Sequence, residues 1–283
     1  MSTDNELQTG MLVIDSETAR EALDAALRGE KDTVLSLDLG VTESRVSLDN
    51  LPWDVESLRK MADDPGNIFF WDGSGTFKAA IRGDHFYKLI PTGKGKAPAL
   101  LIDGVLMHPM KDTDPLTDAA LKAEACVRAG LVVLEICTGL GYSTIACLDR
   151  GVKSIVTIER QQEVLNLARI NPWSERLFSN PRVSIVKGDA VEVVKELPKE
   201  TFDTVLHDPP RFTADSELYS IEFYSQLRRV LRPGGTLFHY VGSPGSRYRG
   251  RDMQKGVMVR LREVGFTNTQ RVSSVKGVLA TRL

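Results

Sequence analysis

The spacing of apolar and polar residues changes character once along this chain, near residue 109. Before that point it predicts short strands broken by turns, with two helices. Ser16 is placed to cap a helix over 17–28, rich in Ala and Leu, which Gly29 stops. Alternating positions at 33–39 and 45–48 predict half-buried strands, and Pro52 with Asp54 opens a second short helix running to about Met61. The stretches 67–72, 76–81, 85–90 and 99–103 read as an antiparallel meander, punctuated by Gly73-Ser74-Gly75, Gly83-Asp84 and Gly93-Lys94-Gly95.

Beyond Pro109, helices alternate with apolar strands. Helices are expected at 115–129, 143–149, 162–170, 190–197, 220–230 and 253–264, and strands at 131–136, 154–158, 183–186, 204–206, 236–240, 267–272 and 277–281. Such repetition implies an α/β fold with a mostly parallel sheet covered on both faces, and ligands outside the C-terminal ends of its strands. The expected division is a small α+β domain over 1–108 and an α/β domain over 109–283.

Composition narrows the function classes. With 26% charged and 42% hydrophobic residues, and no apolar run near the roughly 20 residues that span a bilayer, the chain reads as an ordinary globular protein with no membrane partner. Residues 1–10 are polar and acidic, unlike a secretory signal, so a cytoplasmic location is expected. Cys126, Cys137 and Cys147 have no Cys-x-x-Cys spacing and read as small buried apolar residues, with no metal site expected. The net charge of −2 hides an asymmetry: from Gln226 onward 12 Lys/Arg stand against 2 Asp/Glu, a balance of +10. A polyanionic partner is therefore not excluded.

Four loops at the ends of expected strands carry chemistry. The first, Glu135-Ile136-Cys137-Thr138-Gly139-Leu140-Gly141, turns on two glycines into a helix N-terminus. Thr144 stands where a dinucleotide-binding loop would carry a third glycine, and Glu135 would repel a pyrophosphate while suiting the cationic amino acid end of S-adenosylmethionine. The second loop ends in Glu159, a carboxylate able to accept both hydroxyls of a ribose. The third, Lys187-Gly188-Asp189-Ala190, offers Asp189 to an adenine amino group. Each acid alone also suits a helix N-cap or a solvated surface. In the fourth, His207-Asp208-Pro209-Pro210-Arg211-Phe212, two prolines fix an extended turn whose carbonyls, with the Asp208 carboxylate, are acceptors for an N–H2 donor.

This order of loops resembles the class I S-adenosylmethionine-dependent methyltransferases, with their Rossmann-like, seven-stranded sheet. Asp208-Pro209-Pro210-Arg211 resembles the Asp/Asn-Pro-Pro-aromatic signature of amino-directed nucleic-acid methyltransferases. The junction at 100–109 resembles that of spermidine synthases, which share the fold and transfer aminopropyl groups. The phrases at 135–141 and 207–211 resemble an archaeal family that includes ribosomal RNA cytidine N4 (N4,N4-dimethylcytidine) methyltransferases. The resemblance implies that Glu135, Thr138, Gly139, Gly141, Glu159, Asp189 and Ala190 bind S-adenosylmethionine, leaving S-adenosylhomocysteine, and that Asp208, Pro209 and Pro210 hold the target amine. Two positions depart from the pattern: Cys137 stands where that family has a glycine, and Arg211 replaces the aromatic that stacks on the base, with Phe212 one position later.

The expected function is methylation of an exocyclic amino nitrogen in RNA, with cytidine N4 of ribosomal RNA as the target. The loop bearing Arg247, Tyr248, Arg249 and Arg251 combines stacking with phosphate contacts, and His108 and Lys111 are placed to close the pocket from the domain junction. The alternative is an aminopropyl- or methyltransferase acting on a polyamine, for which Asp103, Asp112 and Asp114 offer carboxylates and which the basic loop disfavours.

Overall fold

Asp15 ends one strand and starts one helix. Its backbone is extended, with φ −102° and ψ −179°, and its Oδ1 accepts the Thr18 N–H at 2.8 Å. The cap thus stands one residue ahead of the expected Ser16, because a carboxylate there also complements the positive end of the helix dipole. The structure, a computed structural model, describes residues 10–210, 216–242 and 252–283. These form two units, one reaching Pro115 and taking in Asn166–Glu175, the other comprising Leu116–Leu165 and Arg176–Leu283.

The first unit runs β1 (Leu12–Asp15), α1 (Ser16–Leu27), β2 (Asp32–Leu35), β3 (Ser44–Ser47), α2 (Val55–Ala62), β4 (Ile68–Trp71), β5 (Thr76–Lys78), β6 (Ala80–Arg82), β7 (Phe86–Ile90), β8 (Ala99–Ile102) and β9 (Val105–Leu106). The single meander expected from 67 to 103 is instead divided between two sheets, β1-β4-β5 and β6-β7-β8-β9. Ala79 is the crossover. Its N–H bonds the Ile68 carbonyl at 2.8 Å and its carbonyl takes the Leu89 N–H at 2.9 Å, so the expected strand at 76–81 splits there. Ile14, Leu23, Leu35, Trp53 and Leu58 share one core, and the Trp173 indole N–H donates to the Leu39 carbonyl at 3.1 Å, tying 166–175 to this unit.

The second unit contains α3 (Pro115–Cys126), β10 (Val132–Ile136), α4 (Tyr142–Asp149), β11 (Ser154–Glu159), α5 (Gln162–Ile170), α6 (Glu175–Ser179), β12 (Val183–Lys187), α7 (Ala190–Glu196), β13 (Phe202–His207), α8 (Ile221–Val230), β14 (Leu231–Tyr240), α9 (Met253–Glu263), β15 (Phe266–Val272) and β16 (Gly277–Arg282), with α3, α5 and α6 crossing its limits. Its seven strands lie in the order β12-β11-β10-β13-β14-β16-β15. The first five are parallel, and β16 runs antiparallel to both of its neighbours. The sheet is that of a Rossmann-like methyltransferase fold. Strand alternation sorts the side chains onto two faces. Leu134, Val205 and Leu237 pack with α7, α8 and α9 on one side, and Val133, Leu206 and Phe238 pack with α3 and α4 on the other.

In the second unit, two expected boundaries move by three residues or more. Helix α3 stops at Cys126 rather than 129. Strand β14 begins at Leu231 rather than 236, because Leu231 pairs with Phe202 ahead of the irregularity that accommodates Pro233-Gly234-Gly235. Among the described residues, no helix is long and apolar enough to cross a membrane.

Candidate active site

The loop after β10 is held open by its backbone. Cys137, Gly139 and Gly141 have φ of +71°, +56° and +78°, a left-handed region that a glycine adopts freely and a cysteine only with strain. The Cys137 and Thr138 N–H groups both donate to the Ile158 carbonyl, at 3.1 and 3.0 Å, which locks the loop to the end of β11. Gly141 is the N-cap of α4 and leaves that helix end without a side-chain cap. A Cβ at Gly141 would come within 2.6 Å of Leu177 Cδ2, whereas one at Gly139 would meet nothing within 4 Å. The open space is therefore beside Gly139.

Glu135 is fully buried on β10. Its Oε2 accepts the hydroxyls of Thr144 and of Thr157, the latter at 2.6 Å, while Oε1 has no hydrogen-bond partner. Burial raises its pKa to about 6, against the lowering effect of the Ser143, Thr144 and Thr157 hydroxyls. Thr138 is likewise buried and shares a 2.6 Å hydroxyl contact with Thr157. At the tip of β11, Glu159 accepts the Gly139 N–H at 3.0 Å and the Gln161 N–H at 2.8 Å, and burial pushes its carboxyl up. Asp189 caps α7 through the Val191 N–H at 2.9 Å and meets Arg160 at 3.4 Å, beside buried Ala190. Its N-cap role is thus real, and its second oxygen faces a largely exposed guanidinium.

His207, the last residue of β13, and Asp208, the first of the fourth loop, point to opposite sides. His207 turns toward α8, fully buried, and its Nε2–H donates to the Leu218 carbonyl at 2.9 Å. Burial depresses its pKa to about 4, so the ring is neutral at pH 7. Tyr219 donates its hydroxyl to the Pro210 carbonyl at 2.9 Å, clamping the proline turn from the same segment. Asp208 turns toward α3. Its Oδ2 takes the Lys122 ammonium at 2.7 Å, and Lys122 also reaches Asp118 at 2.8 Å. The ammonium lies 4.2 Å from the Tyr240 ring centroid, a favourable cation–π placement. Burial raises the Asp208 carboxyl and Lys122 lowers it again. Burial alone would depress Lys122, yet Asp208 and Asp118 outweigh it and hold the ammonium above its usual range.

Glu135, Thr138, Gly139, Gly141 and Glu159 are thus interlocked, and Asp208 joins them through the Asp208 N–H on the Ile136 carbonyl at 3.3 Å. Arg211, Phe212, Arg247, Tyr248, Arg249 and Arg251 lie outside the described residues. His108 in the first unit accepts the Leu100 N–H at 3.1 Å through Nδ1, a bond within its own hairpin. Asp103, a carboxylate for the polyamine alternative, takes the Phe86 N–H at 2.8 Å and meets His85 Nδ1 at 2.5 Å. Sequence reasoning missed Lys122, Asp118, Tyr219 and Tyr240. A signal for Lys122 was present, since it shares the helical stripe of Ala119, Ala123 and Cys126, where a lysine needs a buried partner.

The residues around the glycine loop fit a cofactor rich in N–H and O–H donors: an orphaned buried acceptor at Glu135, open space beside Gly139 and an acidic strand tip at Glu159. The family model described as a methyltransferase domain matches residues 133–235 and takes in all of these positions. It indicates S-adenosylmethionine as the cofactor. A crystal structure of spermidine synthase in complex with the transition state analogue AdoDATO aligns with a TM-score of 0.59 at 19% identity, over 72% of this chain and 73% of that one, a likeness of fold. Polyamine aminopropyltransferase 2 of Streptomyces coelicolor is 36% identical over 105 residues, which are 35% of this chain and 19% of that protein. The polyamine aminopropyltransferase of Thermoplasma volcanium is 32% identical over 113 residues, 39% of this chain and 41% of that one. The chain therefore spans less than half the length of these two transferases. The uncharacterized protein MJ1233 of Methanocaldococcus jannaschii, by contrast, is 43% identical over 286 residues, 96% of each chain, and it is to the family of MJ1233 that this methyltransferase-fold chain belongs.

Proposed function

We propose that the protein transfers an alkyl group from an S-adenosyl sulfonium donor, S-adenosylmethionine in the first place, to an amino nitrogen held at Asp208. The observation that carries this reading is the state of the Asp208 carboxylate, whose Oδ2 is engaged by Lys122 while no donor among the described residues meets Oδ1. When bound, the sulfonium supplies an activated carbon and a neutral leaving group. The protein's task is then placement, worth up to roughly 7–11 kcal/mol in well-oriented systems, and stabilisation of the charge growing on nitrogen. Oδ1 of Asp208 accepts an N–H of the acceptor, and the proton shed after the N–C bond has formed passes to the same oxygen. Tyr219 holds the Pro210 carbonyl, and with it the turn that aims Asp208.

For the acceptor, the first reading is a small aliphatic amine of the polyamine class. Relatives named polyamine aminopropyltransferase support it, and the setting of the Lys122 ammonium, two carboxylates and a tyrosine face, is chemistry that suits an alkylammonium. A second reading, an exocyclic amino group of RNA such as cytidine N4, is favoured by the balance of +10 after Gln226. The test is to supply donors labelled in the transferable methyl or aminopropyl group, each with a polyamine series and with unmodified ribosomal RNA, and to identify the labelled product by mass spectrometry. A labelled amine is expected. A donor that binds while no amino nitrogen becomes labelled would overturn the proposal.

A further inference from the structure

We propose that Lys122 and Asp118 are positioning residues that set the proton affinity of Asp208 in opposite directions, making the three side chains a unit that takes up one proton per turnover. This rests on the amine-transfer reading above and deepens it. The geometry is specific: one ammonium bridges two carboxylates at 2.7 and 2.8 Å. Lys122 is only 6% exposed, while the Asp118 and Asp208 side chains are 18% and 22% exposed. Two carboxylates and one ammonium leave a net charge of −1 facing a sulfonium donor.

When the acceptor nitrogen bonds to carbon, the C–S pair stays on sulfur and the nitrogen becomes positive. Its surplus proton moves to Oδ1 of Asp208, and the ion pair left behind, Lys122 with Asp118, is neutral. Without Asp118, Lys122 would be devoted to Asp208 alone and would hold it as a poor base. Without Lys122, Asp208 would sit beside a like charge in a part-buried site and its proton affinity would rise. Both consequences follow from the signs of the forces on Asp208, since Lys122 lowers its proton affinity and Asp118 raises it.

Among the described residues, Glu135 from β10 and Tyr219 from the turn before α8 also act on Asp208, and Tyr240 packs against Lys122. Tyr219 is pushed up by burial, and Asp208 adds to that shift, so it stays neutral near pH 7. Glu135, raised to about 6 by burial, also feels the Asp208 charge, and its own titration should be followed alongside.

The experiment uses the full chain with Asp carboxyl carbons labelled by carbon-13, the Asp208 resonance being assigned by its loss in Asp208→Asn. Lys122→Met should move the Asp208 titration up, and Asp118→Asn should move it down. In the amine-transfer assay the acidic limb of the pH–rate profile should shift the same way in each variant. A rise in Lys122→Met with a fall in Asp118→Asn supports the proposal; shifts of the same sign, reversed shifts or none overturn it. If Lys122→Met fails to fold, Asp118→Asn alone decides, because an unchanged or raised Asp208 titration contradicts the proposal. The carbon-13 titration needs no substrate, so it stands even if the transfer assay shows that the amine-transfer reading is wrong.

Discussion

Two glycines in one loop should fail for different reasons. Alanine at either position must adopt the left-handed backbone conformation, φ +56° at 139 and +78° at 141, a cost of about 1–2 kcal/mol each. At 141 the new methyl would also stand 2.6 Å from Leu177 Cδ2 and 3.0 Å from its Cγ. Leu177 is 1% exposed, so any shift of its side chain is made inside a close-packed core. Overpacking of this kind adds about 1–3 kcal/mol, so Gly141→Ala should cost about 2–5 kcal/mol in total. Gly139→Ala meets no atom within 4 Å and carries the backbone term alone. Its methyl enters the space assigned to the cofactor, so its loss should fall on donor affinity, by about tenfold or more. Urea unfolding followed by circular dichroism, paired with calorimetric titration of S-adenosylmethionine, separates the two. Equal destabilisation by both variants, or wild-type donor affinity in Gly139→Ala, would mean that the two glycines do not divide packing and donor binding in this way.

Three further outcomes are expected. Burial raises Glu135 from an ordinary 4.5 to about 6, so the stability linked to its proton is full below pH 4.5 and is lost as pH rises through 6. Glu135→Gln, which does not ionise, should therefore gain up to about 2 kcal/mol on the wild type at pH 7.5 and nothing at pH 4.5, as paired melts would show. Tyr219→Phe removes the 2.9 Å bond to the Pro210 carbonyl and should cost about 1 kcal/mol while lowering kcat with donor affinity unchanged. Asp15→Ala strips the cap of α1 and should destabilise the first unit by about 1 kcal/mol, read by hydrogen exchange in α1, without affecting donor binding in the second.

The α/β domain was largely legible because its central strands β10, β11 and β13 are mostly buried and read as apolar runs between helices. The helix at 162–170 and the strand starts at Ser154 and Val183 stand where the pattern put them. The first unit was less legible, since strands of two to five residues give little period to read. Nothing local marks Ala79 as a passage between sheets, because its two hydrogen bonds go to residues far along the chain. The same limit hid the Asp118–Lys122–Asp208 unit. Its members are separated by 86 residues between Lys122 and Asp208, and only packing α3 against the end of β13 brings them together. Asp189 shows the converse, a residue whose N-cap role was visible locally and is what the structure displays.

The central claim is that Asp208 receives the amino nitrogen to which the donor's alkyl group is transferred. It is tested most directly by measuring label transfer from a saturating S-adenosyl donor to the amine acceptor in wild type and Asp208→Asn, with donor binding measured on the same preparations. Donor affinity within about threefold of wild type is expected, with a fall in transfer of 10²-fold or more, roughly the loss of a charged acceptor in the transition state. Transfer that survives the substitution, or a loss of donor binding in step with it, would mean that Asp208 does not receive the amine.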